Sequence, residues 1–155
     1  MPPCQDRDFH VAETRTVVER FVSFWSVQDV AQTAALFAED AYSEVHFDHP
    51  EVGMAGPIQG REKISEGLYR NLAEWHYITF DADIVSIEDD TGRVQINFEY
   101  EHIKSHLRIS STMRMVIVVA DGLISRLDCY HDGERIAAFM RLLRARANGV
   151  NDGAA

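Results

Sequence analysis

The sequence predicts an α+β fold in which a curved antiparallel sheet wraps around N-terminal helices as a cone and a C-terminal helix closes the chain. Three observations lead there. Apolar residues recur at helical spacing from Asp8 to Phe37, four segments of strand character run from Tyr77 to His131, and GERIAAFMRLL returns to helical spacing at the end. A bent sheet with helices on its concave face encloses a tapered interior. Where side chains do not fill the wide end, a cavity of small-molecule size results.

From Asp8 to about Val27, the positions Val11, Val18, Phe21, Val22 and Trp25 give a first helix with a broad apolar stripe. Val30, Ala34 and Phe37 continue the pattern in a second, shorter helix, with Asp29 as its cap and Ser26 marking the break. A strand is expected from Ala41 to His49. The segment HPEVGMAGPIQG that follows is rich in Pro and Gly and reads as a loop of the kind that forms a pocket rim. Arg61 to about Leu72 is a third helix, with Ile64, Leu68 and Leu72 on one side.

Strands follow in YITFDADIVSIE, GRVQINFEYEH, STMRMVIVVA and LISRLDCYH, with turn signals at DDTG and ADG. Alternation in the second of these places Val94, Ile96, Phe98, Tyr100 and His102 on one face and Gln95, Asn97, Glu99 and Glu101 on the other. A reversal near His106 and Leu107 would pair Phe98 with Met115 and Ile96 with Ile117. For the last hairpin, a three-residue loop Ala120-Asp121-Gly122 with left-handed Gly122 sets Met115 opposite Leu127, Met113 opposite Cys129 and Arg114 opposite Asp128. A two-residue loop is the alternative; it slips the strand by one and sends Arg126, Asp128 and Tyr130 inward.

The 155 residues suit a single domain, read as residues 9–145 between frayed or disordered tails at 1–8 and 146–155. No apolar run approaches a membrane span, and the opening MPPCQDRD has neither the basic nor the apolar region of a signal peptide, so a cytoplasmic protein is expected. A net charge of -10 would repel nucleic acid and anionic membrane alike. Two cysteines make no disulfide framework, and the seven histidines are the compositional feature that points to chemistry near neutral pH.

The order FVSFWSVQDVAQTAALFAEDA, then PIQGREKI, then DGLISRLDCYHD resembles the nuclear transport factor 2-like superfamily, and within it the SnoaL-like and ketosteroid isomerase-like proteins. The resemblance spans about residues 10–143 and implies a cone fold, a small hydrophobic ligand, and a homodimer through the outer sheet face. That face carries Val116, Val118, Ile124, Arg114, Arg126, Asp128 and Tyr130, with partial exposure in a monomer as the alternative. Cyclases and epoxide hydrolases of this superfamily commonly hold a carboxylate on the last strand at the position of Cys129 here. The base of the ketosteroid isomerases falls near Val45, with Glu44 adjacent and Asp48 further on, and their protonated acid falls at Met113 or Met115. Dehydratases of the superfamily use histidine and tyrosine instead.

The candidate catalytic set is therefore His131 and His102 as proton-moving groups, Tyr100 as orienting donor, and Asp48, with Glu44 as the alternative, as a carboxylate partner. Trp25, Tyr42, Phe98, Met113, Met115, Leu127 and Cys129 are the expected ligand-binding wall. Cys129 and His131, two apart on a strand, sit about 7 Å apart, beyond hydrogen-bond reach. His46 with His49 points to opposite faces, and His102 lies about 13 Å from His106, so no metal is expected. No Gly-rich phosphate loop is present, and no organic cofactor is implied. The expected activity is isomerisation, cyclisation or dehydration of a hydrophobic carbonyl or cyclic metabolite; the alternative is a non-catalytic ligand-binding or accessory dimerisation module.

Overall fold

The computed structural model describes residues 4–52 and 56–152. Its elements run α1 (Cys4–Ser26), α2 (Val30–Ala35), β1 (Phe37–His46), β2 (Ile58–Gln59), α3 (Arg61–Glu74), β3 (Trp75–Glu88), β4 (Thr91–His102), β5 (Arg108–Ala120), β6 (Leu123–His131) and α4 (Gly133–Asp152). The six strands form one curled, unclosed sheet in the order β2-β1-β6-β5-β4-β3. Pairings are antiparallel except β1 on β6, which is parallel. Both terminal helices cross the limits drawn from the sequence at 9 and 145; residues 1–3, 153–155 and the loop residues 53–55 lie outside the described residues.

The stripe of α1 is what the sheet closes on. Val18, Phe21 and Trp25 are buried in the core, and the single proton of the Thr14 hydroxyl is shared between the carbonyls of His10 and Asp89, 2.9 and 2.8 Å away, tying the helix to the β3–β4 turn. A methyl group on Gly92 would collide with Val18, so β4 approaches α1 closely because that position lacks a side chain. Asp29 caps α2 by accepting from the Gln32 amide at 3.1 Å. The second helix stops before Phe37, which was expected inside it. There the backbone finds partners in β6 instead: Phe37 pairs with Ile124, and the Leu36 carbonyl accepts from the Ile124 amide at 2.8 Å. Strand pairing across the chain overrides a six-residue helix too short to stand alone.

Two expected registers are corrected. Phe98 lies opposite Ser111 and Ile96 opposite Met113, not opposite Met115 and Ile117, because the chain reverses earlier, between His102 and Leu107. The Ser105 hydroxyl and the His102 ring hold that turn, with His106 at φ 63, so neither Gly nor Pro is required to signal it. In the last hairpin, Ala120 pairs with Leu123 across a two-residue turn, Asp121 and Gly122, at φ 52 and 76.

That turn alone would turn the charged residues of β6 inward. The ladder instead skips Ser125, since Val119 faces Ile124 and Val118 faces Arg126; the Ser125 hydroxyl donates to the Val118 carbonyl at 3.2 Å. This bulge restores Leu127 and Cys129 to the core while pairing Met115 with Cys129, Met113 with His131 and Arg114 with Tyr130. Ile124, before the bulge, is fully buried and leaves the outer face to which the sequence reading assigned it.

Candidate functional site

Between the concave face of the sheet, α3, α4 and the loop after β1 lies a cavity of about 570 Å3. Its wall is aromatic and aliphatic: Phe47 and Val52 from the β1 side, Trp75, Phe98 and Tyr100 from the sheet, and Ile136, Phe139 and Met140 from α4. Glu51, Arg70, Asn71, Glu74 and Arg144 supply the polar rim. Gly133 lets the first turn of α4 sit against β1, since a side chain there would overlap the Phe47 carbonyl oxygen.

Two residues of this wall bury a polar atom without a hydrogen-bond partner. His131, at the end of β6, stacks on Phe47 at 5.3 Å and meets Phe98 edge-on at 5.8 Å, and its buried Nδ1 has no hydrogen-bond partner. Burial pulls its pKa down to about 4, so the imidazole is neutral at pH 7. Tyr100 lies in a ring stack between Tyr77 and Phe98, with centroids 4.1 and 4.2 Å away, and its buried hydroxyl makes no hydrogen bond of normal geometry, with the Tyr77 hydroxyl beside it. Burial, reinforced by the neighbouring Tyr77, raises that hydroxyl far above its ordinary pKa; it is a donor that keeps its proton.

Of the other residues selected from sequence, Phe98 lines the cavity with these two. Trp25, Met113, Met115, Leu127 and Cys129 are buried in the core and do not line it. The Cys129 thiol is pushed up to about 12 by burial and by the charge of Asp128, which makes it an inert packing group. His102 stands behind the cavity wall: its Nδ1 bonds the Ser105 hydroxyl at 2.8 Å, its ring meets Trp75 edge-on, and its Nε2 lies 3.7 Å from Glu74. Those contacts give it a turn-holding place and remove it from direct reach of a ligand.

Tyr42 and Asp48 sit elsewhere. Tyr42 donates to Glu44 at 2.8 Å and lies under the Arg126 guanidinium on the outer side of β1 and β6. Asp48 is exposed beyond β1, in a groove shared with His46, His49 and Tyr130. The bulge at Ser125 explains why the outer side is so polar, because it aims Arg126 and Asp128 there together. Asp128, only 5% exposed, accepts from Arg126 at 2.7 Å and contacts His46 Nε2 at 2.8 Å; burial opposes its charge, but these bonds outweigh it and hold its pKa below the usual range. Glu44, His46 and Asp128 bring ligand-type atoms within 4.8 Å of one another, a juxtaposition that needed the parallel β1–β6 register and was invisible in their spacing. Arg126 already occupies Asp128 with two hydrogen bonds, so the cluster is satisfied by a protein cation.

Sequence reasoning missed the helical part of the wall. Gly67, Arg70, Asn71 and Glu74 follow one another at three- and four-residue steps on α3, as do Ile136, Phe139, Met140 and Arg144 on α4. That spacing was the available signal, hidden because the apolar stripe of α3 was read without the residues flanking it.

A family model for the SnoaL-like domain matches residues 18–127. Solved structures with the same architecture include a nuclear transport factor 2-like protein from Burkholderia thailandensis (TM-score 0.71, 20% identity, covering 82% of this chain and 96% of that one). Another is a candidate SnoaL-like polyketide cyclase from Mesorhizobium loti (TM-score 0.65, 14% identity, 75% and 97%). A third is a protein of ketosteroid isomerase-like fold from Catenulispora acidiphila, solved with trimethylamine (TM-score 0.58, 17% identity, 74% and 83%). At these identities the likeness is one of fold. No protein with a curated description matches the sequence, and no described helix is long and apolar enough to cross a membrane. With the match spanning most of the cone and the six-stranded architecture agreeing with it, the chain belongs to the SnoaL-like domain family.

Proposed function

We propose that this protein binds a small, flat, largely hydrophobic carbonyl-bearing or cyclic molecule in the cone and acts on it by general acid-base isomerisation, cyclisation or dehydration. The observation that carries this reading is that two residues lining one apolar cavity, His131 and Tyr100, each bury a polar atom, Nδ1 and the hydroxyl, without a hydrogen-bond partner. A ligand oxygen accepting from Tyr100 recovers a hydrogen bond otherwise lost to burial, an incentive of about 1–3 kcal/mol per group. Neutral His131 takes a proton from the carbon beside the carbonyl, the C–H electron pair moves onto the oxygen held by Tyr100, and the imidazolium returns the proton to another carbon or to a leaving hydroxyl. The oxyanion forming beside it raises the basicity of an imidazole whose resting pKa is low.

A second reading, ligand binding without chemistry, is favoured by Cys129: the position at which the superfamily resemblance puts a carboxylate holds an inert thiol, and Asp48 lies outside the cavity. We further read the protein as a cytoplasmic homodimer joined through the outer sheet face, where half-buried Val116 and Val118 flank Arg114 and Tyr130, the last 45% exposed.

The test uses 2-tetralone in D2O, with α-carbon exchange followed by proton NMR and binding by calorimetry. Wild type should bind the ketone and accelerate exchange. His131→Ala should lose the acceleration yet retain binding, and Tyr100→Phe should weaken both. Binding without accelerated exchange establishes the second reading, and absence of binding refutes both.

A further inference from the structure

The mouth of the cavity sets two arginines beside two glutamates, Glu51 and Glu74. With a net charge of -10, the protein nonetheless lines the opening with Arg70 from α3 and Arg144 from α4. Neither makes an ion pair with any carboxylate among the described residues. Of the two carboxylates on the same rim, Glu51 lies 3.5 Å from Arg141, and Glu74, one turn after Arg70, lies 3.7 Å from the His102 ring. An arginine four residues before an acid on its own helix is within reach of it, although the opposite order is the more favourable one. Here His102, anchored by Ser105 at the β4–β5 turn, stands beside that acid.

Below the two guanidinium groups the cavity is a slot between rings. Trp75, Phe98 and Tyr100 form one wall, Phe139 packs on Trp75 at 5.8 Å, and the uncharged polar pair lies deeper. The charge is therefore at the opening and the hydrogen-bonding groups are at depth. We propose that the ligand is an aromatic or polycyclic carboxylic acid, its ring system in the slot, its buried oxygen at Tyr100 and His131, and its carboxylate at the mouth between Arg70 and Arg144. A planar guanidinium fits a carboxylate with two parallel hydrogen bonds. This deepens the reading of the cone as a ligand site, on which it rests, by assigning the ligand's charge and the end from which it enters.

A ring-matched pair of probes separates the two ideas: 2-naphthoate carries the charge, and 2-acetonaphthone has the same rings and a carbonyl but no charge. Both are titrated calorimetrically at pH 7 in 20 mM and 500 mM NaCl. Wild type should bind the acid about tenfold more tightly than the ketone at low salt, as expected for charge-assisted hydrogen bonds at a partly exposed site. High salt should erode that preference, and saturating ketone should displace the acid. In Arg70→Gln, Arg144→Gln and the double variant, the preference should shrink stepwise while ketone affinity stays the same. Equal affinities for acid and ketone in wild type, or acid binding that ketone does not displace, would overturn the carboxylate assignment and leave the cavity reading intact. If neither probe binds at millimolar concentration, the cavity reading falls with it.

Discussion

His131 is a half-buried imidazole whose Nδ1 is shielded from solvent, desolvation holds it neutral, and its effect on stability has a definite sign. Its pKa is about 4 in the folded protein against an ordinary value of 6.5. Between those values the unfolded chain binds the proton and the native protein does not, so acid favours unfolding. The stabilising contribution is complete above pH 6.5 and is lost as pH falls toward 4, at about 1.4 kcal/mol per pH unit; over the whole interval this amounts to about 3 kcal/mol. Below pH 4 both states carry the proton and the effect is constant. Other groups, including Asp128 with its lowered pKa, also weaken the fold in acid, so the clean quantity is a difference between proteins. His131→Leu keeps an apolar contact with Phe47 and Phe98 and removes the titration. Urea unfolding at pH 7.0, 6.0, 5.0 and 4.5 should show wild type losing about 2 to 3 kcal/mol more than the variant across the series, with most of the divergence between pH 6 and 4.5. Parallel stability curves for the two proteins would refute the assignment of His131 as a desolvated, unpartnered imidazole, and with it the basis for its role toward a ligand.

Two further outcomes follow from the packing of the cone. In a Cys4→Ser background, Cys129 should resist a thiol reagent at pH 8 in the native protein and react within the dead time once unfolded, because burial pushes its thiol up to about 12; native-state labelling at the rate of a free thiol would contradict this. Gly133→Ala places a methyl group on the Phe47 carbonyl oxygen and against His49 Cβ, so it should cost about 1–3 kcal/mol in thermal or urea unfolding and weaken 2-tetralone binding by displacing Phe47 from the cavity wall. An unchanged unfolding midpoint and unchanged affinity would show that α4 does not depend on that close approach.

The fold was legible where one physical signal dominated. Alternation in β4 put Val94, Ile96, Phe98 and Tyr100 on the buried face because the two sides of a strand differ in solvent exposure along its whole length. The same signal fixes faces without fixing neighbours: sliding β5 by four residues against β4 leaves every side chain on its own face, which is why Phe98 could be assigned to Met115 when it lies opposite Ser111. The end of α2 was illegible for a different reason. Phe37 satisfies the helical period, yet its partner is Ile124, so distant in sequence that only the assembled sheet reveals the contact.

The last hairpin shows how a site residue can be placed for the wrong reason. Facing His131 inward required an even count between turn and site, and a three-residue loop supplied it in the sequence reading. In the molecule, a two-residue turn and one extra residue, Ser125, supply the same parity, with the Ser125 hydroxyl covering the Val118 carbonyl that the bulge frees. The two routes give the same facing for everything beyond Arg126, with the pairing on β5 shifted by two residues, and differ before it, where Ile124 enters the core. They differ functionally as well, because the bulge brings Arg126 and Asp128 together on the outer side against Tyr42, Glu44 and His46. One inserted residue thus divides the polar chemistry of β6 between two faces: a satisfied ionic network outside, and inside a histidine whose Nδ1 has no partner. A carboxylate paired in that network cannot also turn into the cavity, so the polar side chain that β6 gives to the cavity lining is the imidazole of His131.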